Sequence, residues 1–405
     1  MSKPFCPLCK KSFKRGVKFC PNDGAELIIS SGGGEAGKVF AGRYTLLSKL
    51  GTGGMGVVYK ARQITTGKTV AIKVISKKMT ANPEMAARFQ REMRIQSRLE
   101  HPNIVPVYDF DKSDEGQFFI VMPFVEGKSL ESLVAAMGPL ELPIFIEIAR
   151  QTLEGVEYAH RKGIIHRDLK AENIIVTELE GKLAAMVLDF GIAKAMDADP
   201  GASSLAGAHL TRDGMILGTP AYMSPEQAGG ELRELGPASD VYSLGVIFYQ
   251  MATGKLPFES ESPIAMLNKH INEKPPKPSE KNPKIAKPLE TIIMRCLRKE
   301  PEKRYPSAES LKLALEELSV KGGKVKAEAT RATLMIIRQP RPEAQPEKDA
   351  EPDQTMLGRF GGKLALMALV LILLGGYYMW RGGLLDYARA GLSGAIGHNA
   401  PSVQK

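Results

Sequence analysis

Cysteine is scarce in this chain: four in 405 residues, three of them within the first twenty. So few thiols exclude a disulfide framework for a chain of this size. An apolar leader is lacking too, because the N-terminus is polar and cysteine-bearing, and no cleavable signal peptide is expected. Acid falls short of base, with 45 Asp and Glu against 55 Lys and Arg, for a net charge of +10. Much of that excess sits in the first twenty residues and between Lys321 and Lys363. It therefore reads as tail chemistry and argues against a nucleic-acid groove. The whole chain is 43% hydrophobic and 25% charged. That suits a globular body with a core of about 250–300 residues, plus appendages.

The chemistry is concentrated in His166-Arg167-Asp168-Leu169-Lys170-Ala171-Glu172-Asn173, with Asp189-Phe190-Gly191 a short hairpin's length later. This stretch supplies a base, a cation and two oxygen ligands for metal. Phosphoryl transfer needs that set: an aspartate to orient the attacking hydroxyl, and an Asn and an Asp to hold a cation on the nucleotide phosphates. A lone His-Arg-Asp carries little information; the eight-residue form with Asp-Phe-Gly downstream is specific. Upstream, Gly51-Thr52-Gly53-Gly54-Met55-Gly56 lies between Leu46-Leu47 and Val57-Val58-Tyr59. Glycines let such a turn lie flat over phosphates so that backbone N–H groups meet anionic oxygens. Dinucleotide-binding folds share the spacing but need a helix next, and β-branched Val57 and Val58 argue for a strand. Val70-Ala71-Ile72-Lys73 then ends a strand in a lysine. A helix is predicted over 84–99, with Glu92 the residue to pair with Lys73 and Glu84 a rival near the helix start.

Together, from about Arg43 to Val320, these motifs resemble a bacterial eukaryotic-like (Hanks-type) serine/threonine protein kinase. The resemblance implies an α+β, bilobal protein kinase fold with a β-rich N-lobe and an α-rich C-lobe. It implies ATP and Mg²⁺ (or Mn²⁺) as cofactors, with Asn173 and Asp189 on the metal. Asp168 would receive or orient the substrate proton, Lys170 would stabilise the transferring phosphoryl group, and Lys73 with Glu92 would hold the α- and β-phosphates. The nucleotide would be held by Gly51, Thr52, Gly53, Gly54, Met55 and Gly56, by Val58 and Ala71, by Met122 at the gatekeeper position, and by the hinge residues Pro123 and Val125. Pro123 stands where an acidic residue is common, but adenine would use its carbonyl and the N–H of Val125.

The resemblance extends to supports and regulation. Lys170, two residues after Asp168, and Gly218-Thr219-Pro220-Ala221-Tyr222 resemble the Ser/Thr-specific group. Arg167 beside the base implies a phosphorylated activation loop, with Thr211 ahead of Ser203 and Ser204, and Asp213 a partial phosphate mimic. Asp240 would brace the catalytic loop and Arg304 would pair with Glu226 in a buried bridge. Cys296 reads as plain core. A pseudokinase scaffold would lack Lys73, Asp168, Asn173 or Asp189, and none is missing.

The flanks read separately. Residues 1–30 have the spacing of a zinc ribbon, with Cys6, Cys9, Cys20 and Asp23 as a Cys₃Asp ligand set for Zn²⁺; three free thiols in a decayed ribbon are the alternative. A nucleic-acid-binding ribbon would show salt-dependent DNA binding through Lys10, Lys11, Lys14, Arg15 and Lys18. Residues 31–42 are a flexible linker, 43–320 the kinase domain, and 321–362 a disordered juxtamembrane linker carrying Thr330, Thr333 and Thr355 for a phosphothreonine reader. Leu364 to Trp380 is uncharged and apolar, ending in Tyr377, Tyr378 and Trp380, and marks one transmembrane helix over 363–380. Residues 381–405 would form a short extracytoplasmic tail. The expected place is the inner membrane, kinase domain in the cytosol. The expected partners are Ser- or Thr-bearing protein substrates and a second copy of the chain for autophosphorylation.

Overall fold

The computed structural model describes residues 4–6, 11, 13–14, 17, 20–22, 28–29, 37–53, 56–77, 83–190, 219–231, 235–322 and 333–337. All belong to the unit Met1–Pro342. The first lobe is a six-stranded antiparallel sheet built from β3 (Val39–Phe40), β4 (Tyr44–Gly53), β5 (Gly56–Gln63), β6 (Thr69–Ile75), β7 (Asp109–Lys112) and β8 (Phe118–Pro123). The order is β3-β4-β5-β6-β8-β7, following a two-residue pair, β1 (Pro4–Phe5) with β2 (Ile28–Ile29).

The central strands alternate with period two, which sorts their side chains onto two faces. Val70, Ile72 and Val74 join Phe119 and Val121 in one apolar cluster. Ala71 and Ile75 join Phe118, Ile120 and Met122 in the other. Lys73 lies between Ala71 and Ile75 and so shares the second face, on which Phe89 and Met93 of α1 (Pro83–Gln96) pack. The predicted helix over 84–99 thus stops three residues early; a turn through Ser97 and Arg98 lets Leu99 enter the core of the second lobe.

That lobe is mostly helical: α2 (Leu130–Met137), α3 (Leu142–Arg161), α4 (Pro225–Ala228), α5 (Pro237–Thr253), α6 (Pro263–Asn272), α7 (Pro278–Lys281), α8 (Lys287–Cys296) and α9 (Ala308–Gly322). Ser129 accepts the Ser132 N–H and caps α2. Gly254, at φ 75°, ends α5 in a left-handed turn. The core gathers Ile144, Phe145 and Ile148 of α3 with Leu244, Ile247 and Phe248 of α5. Cys296 is fully buried there, and burial pushes its thiol up, as expected of plain core.

A small sheet, β9 (Gly127–Ser129), β10 (Ile174–Leu179) and β11 (Lys182–Val187), sits against these helices in the order β11-β10-β9. Glu180 and Gly181, at φ 51° and 77°, make the tight turn joining β10 to β11. Ile174 pairs with Val187 at the open end of this hairpin. The register therefore brings Asn173 beside Leu188 and Asp189: the Leu188 N–H donates to the Asn173 carbonyl at 2.8 Å.

Two boundaries differ from the sequence reading. The folded domain starts inside the expected 31–42 linker, since Val39 and Phe40 pair with Thr45 and Tyr44, and the Phe40 ring packs edge-on against Phe119 at 5.0 Å. The expected disordered stretch 321–362 contains a helical turn over 333–337. Leu334 and Ile337, one turn apart, join the core of the helical lobe and leave Thr333 fully buried.

At the N-terminus Cys6 and Cys20 are buried together against Phe13. Cys9 and Asp23 lie outside the described residues, and among the described residues no group of three His, Cys, Asp or Glu side chains is placed to hold a metal. No described helix is long and apolar enough to cross a membrane, and Leu364–Trp380 lies outside the described residues.

Candidate active site

The site forms where the cleft face of the sheet meets the open end of the β10–β11 hairpin. Cross-strand pairing sets Lys73 opposite Val58 on one side and Ile120 on the other, and Ala71 opposite Met122. Ala71 and Met122 share one apolar cluster with the half-buried Leu50, Val58, Val125, Met186 and Leu188. Lys73 Nζ reaches Asp189 Oδ2 at 2.7 Å, with side-chain exposures of 10% and 21%. Glu92, the expected partner of Lys73, is half-buried on α1, and the ion pair that Lys73 makes in this structure is the one with Asp189. Gly56, at φ 150°, backs onto β6 so closely that a Cβ would lie 2.0 Å from the Val74 carbonyl oxygen, so only glycine fits.

Below it, the loop between α3 and β10 is held mainly by its backbone. Asp240 on α5 accepts from the N–H groups of His166 (2.8 Å) and Arg167 (3.0 Å), and His160 Nε2 lies 2.7 Å from the same carboxylate. Burial would push the Asp240 carboxyl up, but the bond to and charge of His160 outweigh it and hold the group below the usual carboxylate range. The His166 ring bonds the Leu188 carbonyl at 2.8 Å and packs at a tilt against the buried Phe190 ring, centroids 4.7 Å apart, joining the two motifs through a side chain of each. Asp168 carries Lys170 Nζ at 3.5 Å from Oδ2, and the same ammonium donates to Thr219 Oγ1 at 2.7 Å.

The site holds one carboxylate, Asp168, with a cation beside it, and a second, Asp189, salt-bridged to Lys73. The protein kinase domain family matches residues 44–314, which is most of the chain. The chain belongs to the protein kinase family.

Its relatives carry consistent names. The chain is 39% identical over 346 residues to serine/threonine-protein kinase pkn3 of Myxococcus xanthus, covering 84% of this chain and 62% of that protein. It is 36% identical over 275 residues to serine/threonine-protein kinase PrkC of Bacillus subtilis, covering 68% of this chain and 40% of that one. The kinase thus spans less than two thirds of these relatives' length. Among solved structures, the Mycobacterium tuberculosis PknI kinase domain is similar at TM-score 0.54 and 26% identity, over 71% of this chain and all of that one.

The donor set suits a hard divalent cation. Asn173 donates its amide N–H to the Asp168 carbonyl at 3.0 Å, which leaves its amide oxygen for a metal. Asp189 gives one oxygen to Lys73 and keeps the other. Its φ of 59° is a left-handed conformation that aspartate tolerates better than most residues.

The structure thus brings together Val58, Ala71, Lys73, Met122 and Val125 around one face, and Asp168, Lys170, Asn173 and Asp189 at the hairpin's open end. Gly51, Thr52, Gly53 and Gly56 close β4 and open β5, and Pro123 ends β8. Gly54, Met55, Gly191 and the whole stretch with Ser203, Ser204, Thr211 and Asp213 lie outside the described residues. The Glu226–Arg304 bridge is bidentate, at 2.8 and 2.7 Å, and buried. Burial opposes ionisation of Glu226, but Arg304 holds its carboxyl below the usual range.

Sequence reasoning missed Leu50, Met186 and Leu188 as parts of the apolar wall, His160 as the partner of Asp240, and Gln227. Met186 and Leu188 had a signal, because they stand at alternate positions just before Asp189. Gln227 had a local signal only, as the fourth residue of the Ser224-x-x-Gln227 capping box, which says nothing of Arg167; His160 had none.

Proposed function

We propose that this kinase transfers the γ-phosphoryl group of ATP to Ser or Thr hydroxyls of proteins, itself included, as a membrane-anchored component of bacterial signal transduction. The observation that carries the reading is the Lys170 ammonium held between Asp168 and Thr219. Asp168 is the acceptor for the attacking hydroxyl's proton, and Lys170 offsets negative charge developing on the group in transfer. Lys73, fixed by Asp189, presents its cation to the nucleotide phosphates, and the wall of Val58, Ala71, Met122 and Val125 receives the adenine ring. Mg²⁺ held by Asn173 and Asp189 would neutralise phosphate charge. The names of the bacterial relatives support the Ser/Thr assignment.

The flanking readings belong to the same proposal. Cys6 and Cys20, buried side by side, with the Asn22 N–H 3.4 Å from Cys20 Sγ, support a zinc ribbon completed by Cys9 and Asp23. Leu364–Trp380 has the length and composition of a membrane span. With Thr333 buried, Thr330 and Thr355 are the linker positions left for a phosphothreonine reader. Autophosphorylation between copies calls for at least a transient homodimer.

The test incubates the full-length chain with Mg-ATP beside an Asp168→Asn control and maps phosphate by mass spectrometry. Phosphothreonine or phosphoserine in the first and none in the second supports the reading. Equal phosphate in both sinks it. Metal analysis of the purified chain and of Cys6→Ser tests the ribbon: zinc lost on substitution supports it, and no zinc in either removes it.

A further inference from the structure

Gln227 is a buried amide whose two ends serve two different elements. It lies on α4, one residue after Glu226, and is 4% exposed. Its Oε1 accepts from the Ser224 N–H at 3.0 Å and the Ser224 hydroxyl at 3.2 Å, closing the cap of its own helix. Its Nε2 donates to the Arg167 carbonyl at 2.7 Å, sixty positions away in the chain. That carbonyl belongs to the peptide joining Arg167 to Asp168. The N–H of the same peptide faces His166 Nδ1 at 3.3 Å.

Arg167 has φ 65°. A left-handed conformation is unfavourable for a residue with a Cβ and persists only where the surroundings over-determine it. Asp240 secures the N–H side of Arg167, and Gln227 secures the carbonyl side. Release of the carbonyl would let the peptide rotate and carry Asp168 with it. Only a side chain with an acceptor at one end and a donor at the other can close the cap and hold the loop. An ionised glutamate has no donor, and methionine has none either and only a weak thioether acceptor.

We propose that Gln227 is a positioning residue for phosphoryl transfer: its amide holds the Arg167–Asp168 peptide and so sets where Asp168 presents its carboxylate. It also ties that position to Thr219–Met223, the segment that runs into α4 and holds Lys170 through Thr219. The proposal rests on the kinase reading above.

The test compares wild type, Gln227→Met and Gln227→Glu as full-length chains, with Mg-ATP and casein as acceptor. Methionine keeps the length and loses the bonds. With a thermal midpoint near wild type, its kcat is expected to fall about ten- to hundredfold, while KM for ATP stays within about twofold. Gln227→Glu reads the donor itself. Its kcat ratio to wild type is low near pH 8 and rises several-fold toward about pH 5.5, as the buried carboxyl takes up a proton and regains an O–H.

The ionisable groups on the elements that meet Gln227 are Arg167 and Asp168, which share the held peptide, Asp240, which accepts the Arg167 N–H, Glu226 with Arg304, and His270 on α6, which packs on α4 through Leu267 and Ile271. All are present in the wild type, so the ratio reports the titration that the new carboxyl adds, alone or through these neighbours. Hydrogen exchange over residues 164–172 gives a readout independent of turnover, expected to speed up in both variants at neutral pH. Wild-type kcat in a folded Gln227→Met, a Gln227→Glu ratio flat with pH, or unchanged exchange would each overturn the proposal.

Discussion

Lys73 and Asp189, 116 positions apart in the chain, meet at 2.7 Å in a site that hides most of both side chains. Strand alternation points the lysine to the cleft, and the hairpin register delivers the aspartate. A charge pair screened this little from its neighbours is a fixed electrostatic feature, set before any substrate arrives.

Replacement of Lys73 by Met is therefore expected to lower kcat about 10²–10³-fold, with a smaller change in nucleotide affinity. Phosphate transfer and binding of a fluorescent ATP analogue, measured side by side, check the split. A variant that retains wild-type turnover would remove Lys73 from the site.

Arg304 and Glu226 form the buried bridge of the helical lobe, and Arg304 also donates to the carbonyls of Ala238, Arg298 and Lys299. Arg304→Met leaves a buried carboxylate without its cation. The expected loss is about 3–5 kcal/mol in denaturant unfolding, much of it recovered in the Arg304→Met, Glu226→Gln double variant. A single-variant loss under about 1 kcal/mol contradicts the bridge's role.

His270 is fully buried and shares a 2.9 Å bond between its Nδ1 and the Tyr242 hydroxyl. Burial first, and then the charge of Lys299, pull its imidazole down to about 3. An unfolded histidine titrates near 6.5, so between these values the unfolded chain binds a proton that the folded one refuses. Its contribution to stability is complete above about pH 6.5 and drains away as pH falls toward 3, by about 1.4 kcal/mol per unit. In His270→Gln this slope should flatten, as urea midpoints at about pH 7.5 and 5 would show. An unchanged slope would assign the acid lability to other groups.

Leu334 and Ile337 anchor the 333–337 turn in the helical lobe. Leu334→Ala is expected to weaken that docking by about 2 kcal/mol, read as faster hydrogen exchange over 333–337 with little change elsewhere. Exchange as slow as in wild type would mean that other contacts hold the turn.

Local chemistry made much of this protein legible in its residues. The glycine-rich strand end, the lysine on a β-branched strand, and the two acidic motifs flanking a hairpin are short-range patterns, and the structure places their described residues on the expected elements, except that Lys73 lies two residues inside β6 and not at its end. The long-range partners were not legible in the same way. Lys73 meets Asp189, and Gln227 meets Arg167, because the sheet register and the packing of α4 against the catalytic loop bring them there; nothing within a few residues of either specifies it. The same holds at the boundaries. Phe40 and Leu334 fall in stretches whose polar composition suggests linker, yet each finds an apolar partner far away in the chain. Composition counts residues over a window, whereas burial is decided one side chain at a time by the surface it meets.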